Sequence, residues 1–323
     1  MTVRQWRRPA PEHAELLATA IGKGLEMLEN EQGAIFPNLR ETRGLGLACD
    51  FSGQHQESAF NTYSFLLFDL ERQQEWDQAR QRVRSELIQD SRRFSYKNLR
   101  DNVQWHALEP FLDAAGQLPG LLVNVIAHKG FPLDFVFEAG FNIARFEDTS
   151  RFNDWPVMTV AKAAWVVHIA ALLVAGFAAP DQHLLWFIDQ DELVENQPRV
   201  DTLSSSFQDV ASDYLSFNLG SFVIITAAAD PGHRKIEDVL SIADLAAGAW
   251  SDMFNTVRSA KDIADLHRQV EEKTTRNRAK AELITHWCSS NCGRALKYMT
   301  IALTPGDFDF PITGQFIYPR PAG

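Results

Sequence analysis

Cysteine is scarce in this chain: Cys49, Cys288 and Cys292 are the whole supply in 323 residues. Three thiols are too few and too unevenly placed for the disulfide framework of a small secreted domain, so a reducing cytoplasm is the expected location. A basic excess is missing too. The 31 Lys and Arg against 42 Asp and Glu leave a net charge of −11, whereas a chain that holds phosphates over a broad surface carries a Lys or Arg for each one. Any contact with nucleic acid must therefore rest on a local basic surface. The N-terminal segment MTVRQWRRPAPEHAELL is basic, but no apolar stretch follows the basic residues, so it does not read as a secretory signal.

Only one apolar run is long. Ala163 to Ala179 (AAWVVHIAALLVAGFAA) carries His168, follows Lys162 and stops at Pro180. It falls just short of the roughly 20 residues a membrane span needs. It reads as a core helix buried on nearly all sides, with a membrane span as the alternative. Internal repeats and low-complexity linkers are absent. So are a Walker motif, a Gly-x-Ser-x-Gly elbow and a His-Glu-x-x-His pair, and Gly44-Leu45-Gly46 precedes a strand where a dinucleotide fingerprint would follow one.

What is present is a globular composition, 45% hydrophobic and 23% charged, in a length that suits one large or two ordinary domains. Apolar positions at helical spacing predict a helix over 11–31. Leu45–Asp50 and Ala59–Phe68 read as a hairpin, Glu71–Gln89 as a solvated helix with a narrow apolar stripe, and Phe94–Lys97 as a short extended piece. A helix over 98–115 leads to a strand over 121–127. Beyond Trp155, helix and strand alternate: the apolar helix to Ala178, a strand over 184–189, a helix over 201–215, a strand over 222–227 and a helix over 236–254. The tail from Ala260 is helical and charged, with 298–303 as a last strand. The pattern predicts one mixed sheet covered by helices.

Three aspartates stand out by position. Asp50 ends the first strand, Asp189 ends a later one, and Asp244 lies in the small, apolar helix stretch Ala243-Asp244-Leu245-Ala246-Ala247-Gly248. A carboxylate on an apolar helix face needs a partner or a cation. Acids at adjacent strand ends plus one from a packed helix can meet at one spot and offer the oxygen ligands that Mg²⁺ or Mn²⁺ prefer. Strand-end aspartates also cap turns, and helix aspartates also accept local hydrogen bonds, so the spacing leaves both readings open.

The order Asp50-Phe51-Ser52-Gly53, hairpin strand, Phe94-Ser95-Tyr96-Lys97-Asn98-Leu99, strand-end Asp189 and Ala243-Asp244-Leu245 resembles ribonuclease-H-like proteins. It is most similar to an uncharacterised group whose first strand ends Asp-Glu-Ser-Gly and whose late helix carries Ala-Asp-Leu. The resemblance covers 44–256. It implies an α/β fold with a mixed central sheet flanked by helices; the ends that it leaves unexplained read from their own residues as a helical extension over 1–43 and another over 257–323 with a last strand. It also implies a nuclease dependent on Mg²⁺ or Mn²⁺ that acts on RNA or DNA, of a kind that accompanies defence against phage. Asp50, Asp189 and Asp244 match the acids that would be both catalytic and metal-binding. Lys97 matches a basic position able to contact phosphate, with Ser52 and Arg93 as further substrate contacts. The departure is Phe51, which stands where the group has Glu; Asp191, Glu192 or Glu57 would have to replace that acid, and Asp191 would share the side of Asp189 if the strand ran on. The rival reading is a catalytically impaired subunit of the same fold that binds a protein partner.

Two basic groups offer the required local surface: Arg80, Arg82, Arg84, Arg92, Arg93 and Lys97, and Lys273, Arg276, Arg278 and Lys280. Either is equally readable as a solvated helix face. His55 is a candidate proton shuttle or a solvated loop residue. His286 with Cys288 and Cys292 could suggest zinc, but four ligands are wanted and two buried thiols beside Trp287 are the plainer reading.

Overall fold

A computed structural model describes residues 5–9, 16–32, 36–53, 58–88, 92–131, 149–230, 232–255, 276–289, 294–305 and 312–317. The strand-forming stretches assemble into one seven-stranded mixed sheet in the order β5-β4-β1-β2-β3-β6-β7. β1 (Gly44–Ser52) and β2 (Phe60–Asp69) form the antiparallel hairpin, and β3 (Gly120–His128) runs antiparallel to β2. β4 (His183–Ile188) lies parallel to β1, and β5 (Phe222–Thr226) parallel to β4. β6 (Leu296–Pro305) covers the last strand expected over 298–303, and β7 (Ile312–Ile317) adds one that was not expected; both continue the same sheet beyond β3.

Seven helices cover the two faces among the described residues: α1 (Leu16–Gln32), α2 (Gln74–Leu87), α3 (Asn102–Ala115), α4 (Val157–Phe177), α5 (Gln197–Tyr214), α6 (Lys235–Phe254) and α7 (Arg276–Trp287). Alternation along β1 divides the core. Leu45, Leu47 and Cys49 pack with Leu25 of α1, Ile169 of α4 and Phe207 of α5. Ala48 faces the other way, into a core shared by Trp76 of α2, Phe111 of α3, Leu245 of α6 and Ile284 of α7. Among the described residues α4 is the one helix long and apolar enough to cross a membrane, but every residue from Ala163 to Phe177 is buried inside the fold, so it is a core helix here.

Two local expectations change. Phe94–Lys97 is extended only in part: Ser95 has extended backbone angles, but a 3₁₀ turn covers Tyr96–Arg100. The helix expected from Asn98 starts at Asn102, because the Asp101 carboxylate accepts the Val103 and Gln104 N–H groups at 2.9 and 3.2 Å and so fixes the N-terminus there.

Candidate active site

The parallel register pairs Cys49 with Ile188, so Asp50 and Asp189 follow at the same end of neighbouring strands. Cys49 and Ile188 belong to the core under α4, so the next residue on each strand projects to the opposite face, which α6 covers. Asp244 is on α6. The three acids of the sequence pattern therefore come to one end and one face of the sheet. All three are half-buried.

Their charges act on one another. Burial pushes the Asp50 carboxyl well above the usual carboxylate range, and Asp244 and Asp189 push it further. Burial also raises Asp244, against the Tyr96 N–H, Arg93 and Lys97 that favour its ionised form. Arg93 stands between the acids. Its Nη1 lies 2.6 Å from Asp189 Oδ2. Although burial works against its charge, Asp189, Asp244 and Asp50 together hold its guanidinium above the usual value. Its Nε is buried without a hydrogen-bond partner.

Packing against α6 explains how Arg93 gets there. The Ser241 hydroxyl donates to the Phe94 carbonyl at 2.6 Å, and the Tyr96 N–H donates to Asp244 Oδ2 at 2.6 Å. The Tyr96 hydroxyl donates to Asp252 Oδ2 at 2.6 Å. Between these two acids, Gly248 leaves space for the ring: a Cβ there would lie 2.3 Å from Tyr96. Lys280 of α7 closes the arrangement, donating to the Tyr96 carbonyl at 3.1 Å with its Nζ 3.7 Å from the ring centre. Asp244, Gly248 and Asp252 recur every fourth residue, one stripe of α6. The sequence reading missed Tyr96, Asp252 and Lys280 as parts of this site. The signal for them was a glycine in a helix interior, a costly choice that implies a close neighbour.

Other expected residues are placed differently. Asp191 does not join the three acids. β4 ends at Ile188, the chain turns, and the Asp191 carboxylate pairs with Lys162 of α4 at 2.7 Å while accepting the Leu193 N–H at 2.9 Å. Glu192 is also on Lys162, at 3.1 Å. Phe51 packs toward the α4 side with Tyr63 and Phe65, under the Lys162 ammonium. An acid at position 51 would point away from the Asp50 face, so the departure from Asp-Glu-Ser-Gly removes no carboxylate from this cluster. Gly53 of the same motif has φ +87°, the left-handed region, and a Cβ there would lie 2.3 Å from the Phe60 carbonyl oxygen. Ser52 is the half-buried end of β1, opposite Thr62. Lys97 is exposed on its turn, near enough to Asp244 to favour the carboxylate.

Much of the first basic group is internal. Arg80, only 3% exposed, pairs with Asp77 at 2.6 Å and with Asp238 of α6 at 3.2 Å. Arg84 also pairs with Asp238 and donates to the Arg92 carbonyl at 2.7 Å. Arg92 pairs with Asp101 at 2.9 Å. In the second group Lys280 is buried on Tyr96, while Lys273 and the side chains of Arg276 and Arg278 lie outside the described residues, as do His55, Glu57 and Cys292. His286 is exposed and Cys288 buried, with burial raising its thiol. Cys49 is a core thiol that accepts the Trp186 indole N–H at 3.1 Å.

Among the described residues no three His, Cys, Asp or Glu side chains stand in a geometry ready to hold a metal ion. The donor set of Asp50, Asp189 and Asp244 nevertheless fits a hard divalent cation, being all carboxylate oxygen. Mutual repulsion is relieved at present by Arg93 and by raised proton affinity. The Thr62 hydroxyl, wholly buried on the strand beside Ser52, has no hydrogen-bond partner. The chain matches no protein-family model and no curated protein.

Proposed function

We propose that the chain is a ribonuclease-H-like nuclease that hydrolyses phosphodiester bonds of RNA or DNA with Mg²⁺ or Mn²⁺ at Asp50, Asp189 and Asp244. The observation that carries the reading is the meeting of three aspartates from β1, β4 and α6, each adding to the charge burden of the others. The mixed sheet, with β2 antiparallel to both neighbours and β4 and β5 parallel to β1, supports it, because a mixed central sheet flanked by helices is what the resemblance implies.

A divalent ion held there would lower the pKa of a bound water and offset charge on the leaving oxygen. The chain's own groups do the rest. The aspartates supply oxygen ligands. Lys97 projects into solvent beside Asp244 and takes a phosphate oxygen. Arg93 balances the acids, and would be available to a phosphate oxygen if Asp189 were held by a cation instead.

One observation favours the rival reading of a partner-binding subunit: Arg93 pairs with Asp189 at 2.6 Å and so neutralises one of the three acids. Incubation of labelled RNA and DNA with Mg²⁺ or Mn²⁺ separates the two. Wild type cleaves one of them, while Asp50→Asn and Asp244→Asn lose at least about 100-fold of the rate, as expected for groups acting on the reacting centre, and keep their fold by circular dichroism. No cleavage by wild type, or full cleavage by both variants, overturns the nuclease.

A further inference from the structure

On the opposite face of the sheet, at the same end, lies a cavity of about 540 Å³. This is the size of a small-ligand pocket. Its walls include the rings of Phe51, Tyr63, Phe131 and Trp165, and Ser52 and Asn61 add polar groups at the strand ends. Ser52 is two residues beyond Asp50 on β1, roughly 7 Å along the strand. The acids and the cavity are thus within a short step of each other around the end of one strand.

The lysine over the Phe51 ring is compensated. Lys162 is tied to Asp191 and Glu192. Burial lowers the proton affinity of both His128 and Lys129, and the His128 Nδ1 accepts the Gly130 N–H at 2.9 Å. An aromatic pocket of this kind is poorly suited to a phosphate and well suited to an uncharged, planar heterocycle, because every base presents a π-face to stack. Asn61, whose side chain also hydrogen-bonds the Tyr63 hydroxyl, adds an amide whose remaining hydrogen-bonding positions can meet a base edge.

We infer that the cavity receives one unpaired nucleobase of the strand whose phosphate lies at Asp50, so that the substrate is single-stranded at the site. The inference rests on the nuclease reading for that phosphate. A paired base cannot enter, so duplex is a poor ligand.

Fluorescence anisotropy with a labelled single-stranded oligonucleotide, and with the same sequence as a blunt duplex, tests this in EDTA, where no cleavage occurs. Wild type binds the single strand at least about 10-fold tighter than the duplex. Phe51→Ala loses about 10-fold or more of single-strand affinity, in line with the loss of one stacking partner, and Phe51→Tyr restores it. Unchanged binding in Phe51→Ala, or equal binding of single strand and duplex, overturns the inference. Cleavage assays on the same proteins keep the two ideas apart. A protein that cleaves but shows no role for Phe51 loses the cavity and keeps the nuclease. One that stacks single strands on Phe51 and never cleaves keeps the base site and loses the nuclease.

Discussion

Gly248 shows at the scale of one residue how tightly the site is built. Because a Cβ at position 248 would lie only 2.3 Å from the Tyr96 ring, Gly248→Ala must push that ring, and with it the backbone that carries Arg93, off α6. Overpacking of this kind costs about 1–3 kcal/mol, measurable as a lower urea midpoint at unchanged slope. Asp50 contributes to the pH dependence, and Asp244 acts in the same direction. A carboxyl whose folded pKa lies above its unfolded value binds more protons in the native state than in the unfolded one. Its contribution therefore favours folding at low pH, and that advantage is lost as pH rises from the ordinary carboxylate range upward through the raised value. Metal-free wild type should lose stability across that window, while Asp50→Asn should flatten the profile in urea titrations at stepped pH; an equally steep profile in the variant would deny the strain at Asp50. Arg93 competes with any cation for Asp189. A half-exposed ion pair is worth up to about 1 kcal/mol, so Arg93→Gln should bind Mn²⁺ about fivefold tighter than wild type, read by electron paramagnetic resonance titration.

At the scale of elements, α6 is the organiser. Asp238 holds Arg80 and Arg84 of α2, Ser241 and Asp244 hold the 94–96 backbone, and Asp252 holds the Tyr96 hydroxyl. Asp238→Ala would leave two arginines of α2 facing a buried vacancy. Removing one side of a buried ion pair costs about 3–5 kcal/mol, and the loss should appear in chemical denaturation. What was legible in the sequence follows the same elements. The period-two and period-3.6 patterns gave strands and helices, and the strand ends gave Asp50 and Asp189, because alternation and strand termini are local properties. The turn at 96–100 was not legible as such, since it is held by groups about 150 and 184 residues away, on α6 and α7. Nor was the internal role of Arg80 and Arg84: a charge on a polar helix looks solvated until the partner on another helix is seen. Asp191 was misplaced because a turn after Ile188 broke the alternation on which its expected side depended.

At the scale of the molecule, the net charge of −11 now has a local meaning. Several of the arginines that promised a phosphate surface neutralise acids inside the fold, and Lys97 and Arg93 are the members of that group that act on the acidic cluster. Single-strand binding with only two or three phosphate contacts gives a salt slope of about −2 in log affinity against log salt; a slope several times steeper would reveal a broad basic surface elsewhere. The proposed hydrolysis requires Asp50, Asp189 and Asp244 to hold a divalent ion. Calorimetric titration of Mn²⁺ into metal-free protein at neutral pH tests that most directly. Saturable binding to wild type that disappears in both Asp50→Asn and Asp244→Asn is the predicted result; absence of binding to wild type, or binding untouched in both variants, would contradict it.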